Sequence, residues 1–242
     1  VKNGINYLDL FSGIGGFHLG ILQAGVNINK CYFSEVDKYA AQIYKRHFPE
    51  SIELGDIRKI KGEELGEINL VTFGFPCQDL SIAGKRAGLS GSRSGLFFEA
   101  VRIISETQPD IFVFENVKGL FSSNEGKDFE IVLRTIADLR IYECEWQLLN
   151  TSFVLPQNRE RIYFIGHSTI SRRSGQKVFP IGDGDKGNNE TQRETQRKGK
   201  RIRSGYPHLR VGEGNVKALI VASSLTRRDY KDGKQNLICL KK

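Results

Sequence analysis

Methionine is absent from this 242-residue chain, tryptophan occurs once and proline only six times. With Val1 at the first position, the missing methionine points to a start that has been lost or re-assigned. No apolar run approaches the ~18–20 residues that a membrane span needs. Val1-Lys2-Asn3-Gly4 passes straight into an apolar stretch, so neither a membrane anchor nor a signal peptide is expected. The four cysteines, Cys31, Cys77, Cys144 and Cys239, lie far apart without a C-x-x-C pair. That argues against a metal site and a disulfide framework, and it fits a reducing cytoplasm. There is no internal repeat. What remains is the profile of a soluble globular protein with a real core, with 39% apolar residues and a mean hydropathy of −0.36.

Charge is unevenly spread. Residues 1–165 carry 18 basic against 21 acidic side chains, whereas residues 166–242 carry 18 against 7. The whole positive excess of +8 therefore sits in the last third. Such asymmetry suits a polyanion meeting one end of the molecule, although a solvated basic tail gives the same count.

Apolar runs at 5–11, 30–35, 68–75, 110–115, 145–150 and 161–167 read as strands. Helical patterns at 15–24, 38–47, 96–107 and 128–139 alternate with them. This alternation predicts an α/β fold, a parallel sheet with helices on both faces, and ligands at the carboxyl ends of the strands. The character changes near residue 168. Residues 168–205 are rich in Gly, Ser, Asn, Gln, Lys and Arg, as in a long loop, linker or binding segment. Two short strands are expected beyond, at 216–221 and 236–240, around a polar turn at 227–234.

Asp9-Leu10-Phe11-Ser12-Gly13-Ile14-Gly15-Gly16-Phe17 follows the first strand. Its glycines allow a tight turn and close approach of a ligand, and a helix N-terminus faces the same place. Glu35 ends the second strand, where a carboxylate can accept from both ribose hydroxyls of a nucleoside. Asp56, in Gly55-Asp56-Ile57, stands where a third strand would end and could accept from an adenine amino group. The spacing F-x-G-x-G-G, rather than G-x-G-x-x-G, leans towards a ligand without a diphosphate. On its own the turn also fits a nicotinamide dehydrogenase or a purely structural bend.

The fourth strand runs into Gly74-Phe75-Pro76-Cys77-Gln78. Pro76 makes the chain leave the sheet abruptly and sets Cys77 at the strand's carboxyl end, although a free cysteine is more often a small core residue. The loop 79–95 holds Ser81 among its four serines, four glycines and the basic Lys85, Arg86 and Arg93, as a lid over a backbone phosphate would. The fifth strand ends in Glu115-Asn116-Val117, on the same edge as Cys77. Gln157-Asn158-Arg159-Glu160-Arg161 opens the last strand with two arginines at i and i+2, pointing the same way. Paired guanidiniums suit a phosphate or a base carbonyl. Each element alone has an ordinary structural explanation; the ordered set at successive strand ends is what carries weight.

In this set the chain resembles the DNA cytosine-5 methyltransferase family over residues 5–166, with a weaker match at 216–240. The matching motifs are D-L-F-S-G-I-G-G, E-V-D-K-Y-A, G-D-I, G-F-P-C-Q-D-L-S-I-A-G, G-L-F-F-E, E-N-V and Q-N-R-E-R-I-Y-F-I-G. The resemblance implies a Rossmann-like class I S-adenosylmethionine-dependent methyltransferase sheet over 1–167. A small, partly irregular and partial recognition region would follow over 168–242. Phe11, Ser12, Gly13, Ile14, Gly15, Gly16, Glu35, Val36, Asp56, Ile57, Pro76 and Leu96 would hold S-adenosylmethionine. Cys77 would be the nucleophile at cytosine C6, Glu115 would hold the N3/N4 edge, Arg161 the O2 carbonyl, and Arg159 would support the site. No metal is implied. Double-stranded DNA is the implied substrate, its target base flipped out of the stack. Gln78, Ser81, Lys85, Arg86, Arg93, Gln157, Arg172, Arg173, Arg197, Lys198, Lys200, Arg201 and Arg203 would be its contacts.

The chain departs from the family pattern after residue 240. The R-x-L-T-P-x-E segment and the final G-N-x-V helix do not follow; Gly214-Asn215-Val216 mimics the latter out of order. A fragment, a split enzyme completed by a second chain, and a reduced variant each account for this. The resemblance leaves open a restriction-modification or orphan role, a cognate restriction endonuclease, and a bacterial or phage origin. Competing readings are a silent subunit that binds DNA or a partner, an RNA cytosine-5 methyltransferase, and a nicotinamide dehydrogenase.

Overall fold

The structure, a computed structural model, describes residues 4–75, 95–153, 156–171, 178, 179 and 181. The strands expected at 216–221 and 236–240 lie outside these residues. In chain order come β1 (Ile5–Leu10), α1 (Gly16–Gln23), β2 (Ile28–Ser34), α2 (Lys38–His47), β3 (Ile52–Glu53), β4 (Leu70–Phe73), α3 (Leu96–Thr107), β5 (Ile111–Val117), α4 (Lys127–Ala137), β6 (Tyr142–Asn150) and β7 (Glu160–Ser168). They form one seven-stranded sheet in the order β3-β2-β1-β4-β5-β7-β6.

Period-two alternation along the strands splits the core between two faces. Leu8, Leu10, Val71, Phe73, Phe112, Phe114, Ile162 and Phe164 pack with Phe97, Ala100 and Ile104 of α3 and with Phe129, Val132 and Ile136 of α4. On the opposite face Tyr7 and Cys31 pack with Ile21 of α1, and Phe33 with Ala41 and Tyr44 of α2. Helices thus cover both faces, as expected. Three phenyl rings stack across the middle of the sheet, Phe73 on Phe114 at 4.8 Å and Phe114 on Phe164 at 4.3 Å. Full burial of each such ring contributes about 1.5–3 kcal/mol.

The helix ends follow local chemistry. Asp37 caps α2 by accepting from the backbone N–H of Tyr39 and Ala40, and Lys45, Arg46 and His47 occupy its last turn, where the helix dipole favours cations. α1 starts after Gly15, whose φ of 92° and contact with the Phe48 ring leave no room for a side chain.

Two expectations change. The third strand is only Ile52–Glu53, and Asp56 caps a 3-10 turn, Ile57–Lys59, instead of ending a strand. More consequentially, the sheet is not wholly parallel: β7 runs antiparallel to both β5 and β6. The nine residues 151–159 joining β6 to β7, which begin with the 3-10 turn Thr151–Phe153, are too few for the helical crossover that parallel pairing needs. Beyond β7, Glu145 accepts from the N–H of Val178 and Phe179, and Gln147 pairs with Ile181 through both N–H and C=O. Phe179 is 8% exposed, so the packed body reaches past residue 168. No described helix is long and apolar enough to cross a membrane.

Gly166 on β7 lies under the ring of Phe112 on β5, close enough that any side chain would collide with it. Gly166→Ala is therefore expected to lower stability by about 1–3 kcal/mol, read as an earlier midpoint in denaturant unfolding with an unchanged slope.

Candidate active site

The loops after β1 and β2 are stitched together by Glu35. Its Oε2 accepts from Gly13 N at 2.9 Å, and its Oε1 accepts from Val36 N at 2.8 Å and Asp37 N at 2.7 Å. About one of the carboxylate's four lone-pair positions stays open, at Oε2. Ser12 N donates to Ser34 O, and Ser34 Oγ to Gly55 O at 2.6 Å, tying β1, β2 and the Asp56 turn into one rim. The turn is strained at Phe11, whose φ of 51° is unusual for a bulky residue. Ser12 is 8% exposed, and its Oγ has no hydrogen-bond partner among the described residues. A ligand atom there would recover the cost of that open hydroxyl. Val36 stands beside Glu35, 73% exposed, as an apolar surface at the mouth. Asp56 is gripped by Arg58, Nη2 to Oδ2 at 2.6 Å and Nε to Oδ1 at 3.0 Å, which draws its pKa down to about 2. It is therefore an acceptor only, matched to an amino donor.

A second group forms where β4, β5 and β7 meet. The carboxyl end of β5 lies against the beginning of β7, with Glu115 opposite Tyr163 and Val117 opposite Arg161. Arg161 Nε stands 2.7 Å from Glu115 Oε1 and Arg159 Nη2 stands 3.6 Å from the same oxygen. The three side chains are only 15–20% exposed. A side chain added at Gly74 would start 3.3 Å from Glu115 Oε2, so the carboxylate looks onto the end of β4. Burial raises the pKa of Glu115 above the ordinary carboxylate value, against the opposing pull of Arg161 and Arg159. Such a group can accept from one donor and still give a proton to another. Asn116 Nδ2 donates to Phe75 O at 3.2 Å and fixes the chain just before Pro76. Lys118 closes the outside through its ion pair with Glu160 at 2.9 Å.

A profile of the family described as C-5 cytosine-specific DNA methylase matches residues 5–228. The chain belongs to that family. Type II methyltransferase M.NgoBI of Neisseria gonorrhoeae is 44% identical over 162 residues, covering 66% of this chain and 50% of that protein. M.HhaI of Haemophilus parahaemolyticus is 39% identical over 163 residues, 67% of this chain and 49% of that one. The orphan methyltransferase M.SPRI of Bacillus phage SPR is 39% identical over 165 residues, 67% and 37%. The chain thus spans between a third and a half of these curated relatives. Among solved structures, an E. coli prophage protein assigned as a DNA modification methyltransferase aligns with a TM-score of 0.56 and 27% identity, covering 68% of this chain and 47% of that one. A triple mutant of Spodoptera frugiperda DNMT2 aligns with a TM-score of 0.58 over 75% and 54% at 22% identity, a likeness of fold.

For a C-5 cytosine-specific DNA methylase domain, the expected site residues fall into two groups. Phe11, Ser12, Gly13, Ile14, Gly15, Gly16, Glu35, Val36, Asp56 and Leu96 line one carboxyl edge of the sheet. Ile57 belongs to that turn, but its side chain, 2% exposed, is core beneath it. Glu115, Arg159 and Arg161 come together further along the same edge, at the end of β5, and Gln157 is exposed just before them. Pro76, Cys77, Gln78, Ser81, Lys85, Arg86, Arg93, Arg172, Arg173, Arg197, Lys198, Lys200, Arg201 and Arg203 lie outside the described residues. Reading the sequence missed the brace of the Gln157–Arg161 approach. Thr151 Oγ1 donates to Gln157 O and Asn150 Oδ1 accepts from Arg159 N, at 2.7 and 3.3 Å. Asn150, which ends β6, and Thr151 just after it were the available signal.

Beneath the glycine loop lies a buried polar chain. Tyr7 and Thr72 share a hydrogen bond at 2.6 Å, Thr72 Oγ1 donates to Asp9 Oδ1 at 2.8 Å, and Tyr44 bridges Asp9 to His18. Burial raises Asp9 to about 7 and lowers His18 to about 4. The signs oppose each other. Asp9 contributes stability that is full below pH 4 and lost as pH rises towards 7. His18 contributes stability present above its ordinary value near 6.5 and lost as pH falls towards 4. Asp9→Asn deletes only the first term. Relative to wild type, its unfolding free energy is expected to gain steadily from pH 4 to pH 8 in denaturant titrations; a constant offset would refute the buried-acid assignment.

Proposed function

We propose that this chain carries the catalytic machinery that moves a methyl group from S-adenosylmethionine to carbon 5 of cytosine in double-stranded DNA. The observation that carries the reading is Glu115, held by Arg161 and Arg159 at the end of β5 and facing the strand that leads into Pro76-Cys77. Family membership supports it, as does the run of type II and orphan methyltransferases among the relatives.

The fit of the cofactor rests on the first edge. Glu35 keeps acceptor capacity for a ribose hydroxyl, Asp56 is an ionised acceptor for an adenine amino group, Val36 offers an apolar face and Ser12 an open hydroxyl. When bound, S-adenosylmethionine supplies an electrophilic methyl group. The chain's own residues prepare the cytosine, whose C5 is a poor nucleophile. The Cys77 thiolate adds to C6 while the acid form of Glu115 gives its proton to N3, leaving an electron-rich C5. Arg161, shared between Glu115 and the O2 side of the ring, stabilises the charge redistributed in that step. After methylation a base takes the C5 proton, the C5–H electrons expel the Cys77 thiolate from C6, and Glu115 takes the N3 proton back. The target base must leave the stack to reach this edge. The loop 79–95, with Lys85, Arg86 and Arg93, is the segment proposed to close behind it. Gln78, Ser81 and Gln157 join it, with the basic residues 172, 173, 197, 198, 200, 201 and 203, as contacts that position the duplex.

The test is transfer of labelled methyl from S-adenosylmethionine to unmethylated genomic DNA. Label is expected at cytosine C5, none with Cys77→Ser, and a fall of about 10²–10⁴-fold with Glu115→Gln. Label on another atom, or label that survives Cys77→Ser, overturns the mechanism. DNA binding should weaken steeply with salt, as phosphate contacts require.

A further inference from the structure

The Asp56 turn has little of its own to hold it in place. β3, which precedes it, is two residues long and lies at the edge of the sheet. The turn Ile57–Lys59 is a single 3-10 turn, with weak internal hydrogen bonding. Its inner side is anchored by Ile57 and Ile60, 2% and 6% exposed in the main core. Ser34 ties its approach through Gly55 O, and towards α3 it is held by Arg102.

Arg102 Nη2 donates to Ile57 O at 3.1 Å and Nη1 to Ile60 O at 3.0 Å, the carbonyls at the two ends of the turn. Two carboxylates aim the guanidinium. Glu99 Oε2 accepts from Nε at 2.9 Å and Nη2 at 2.8 Å, and Glu106 Oε1 accepts from Nη1 at 2.8 Å. All five N–H donors are thus used, on four acceptor atoms, with Glu99 Oε2 accepting twice. Glu106 uses its other oxygen to accept from Gly62 N at 2.7 Å, which secures the chain after the turn. An exposed ion pair alone contributes little. A saturated fork bonded to both ends of a short turn does something different: it fixes where Asp56 stands relative to α3. Leu96, the first residue of that helix, belongs to the same candidate pocket, about 9 Å along the axis at 1.5 Å per residue.

We propose that Arg102 is a positioning residue for recognition of the adenine amino group: it holds the Ile57–Lys59 turn against α3 so that the Asp56 carboxylate is presented to that donor. This rests on the cofactor reading given above. Lysine at 102 keeps the charge but cannot bond both carbonyls while being held by both glutamates.

The experiment compares binding of S-adenosylhomocysteine with that of its analogue carrying hydrogen in place of the adenine 6-amino group, by calorimetry on the full chain. Wild type should prefer the amino compound by about tenfold or more, the worth of a hydrogen bond to a charged acceptor. In Arg102→Lys that preference should fall to about twofold or less, with the analogue's own affinity little changed. Asp56→Asn should abolish the preference, and adding Arg102→Lys to it should change nothing further. Glu106→Gln, a milder change, should give an intermediate ratio. A ratio of two affinities from one preparation does not depend on the fraction folded. If Arg102→Lys weakens both compounds equally, or leaves the preference intact, the inference fails while the cofactor reading stands. If wild type binds neither compound, the cofactor reading fails and the inference with it. Equal binding of both by wild type overturns the role of Asp56 and hence that of Arg102.

Discussion

The ion pair between Arg161 and Glu115 depends on a reversal of direction that the rest of the site inherits. In a wholly parallel sheet the beginning of β7 would lie at the far edge from the end of β5. Because β7 runs antiparallel, its first residues meet the carboxyl end of β5, and Arg161 Nε reaches Glu115 Oε1 at 2.7 Å. Arg159, two residues earlier and on the same side, falls on the same oxygen. A carboxylate this buried would otherwise be an isolated charge or a neutral acid. Flanked by two guanidiniums, its ionised form is not a bare charge in the interior.

The two halves of the site are built by different means. The part proposed to take the cofactor is mainly backbone: three N–H groups converge on Glu35, a strained Phe11 shapes the loop, and Arg102 pins the Asp56 turn by its carbonyls. The part proposed to take the base is mainly charged side chains, with Asn116 bonded to the Phe75 carbonyl. Paired ionisable groups suit a ring whose charge changes during the reaction.

Much of this was legible in the sequence because the governing interactions are local. Strand periodicity, the glycine loop, the carboxylate closing β2 and the same-face arginines each declare themselves within a few residues. The reversal of β7 did not, because an apolar run carries no sign of its direction; only the shortness of the connection 151–159 betrays it. Arg102 was invisible for another reason. Its spacing with Glu99 and Glu106 reads as ordinary helix-surface pairing, whereas its two decisive bonds are to carbonyls more than forty residues away. The two-residue β3 carries too little pattern to be placed, so Asp56, expected at the end of a strand, lies on a turn instead.

The claim on which the account turns is that Glu115 and Arg161 act as one buried unit across β5 and β7. A double-mutant cycle in denaturant stability at pH 8, with Glu115→Gln, Arg161→Met and the double variant, tests it directly. The account predicts that the double variant is less destabilised than the sum of the singles, by at least about 1 kcal/mol. Additivity of the two single effects within about 0.5 kcal/mol would contradict it.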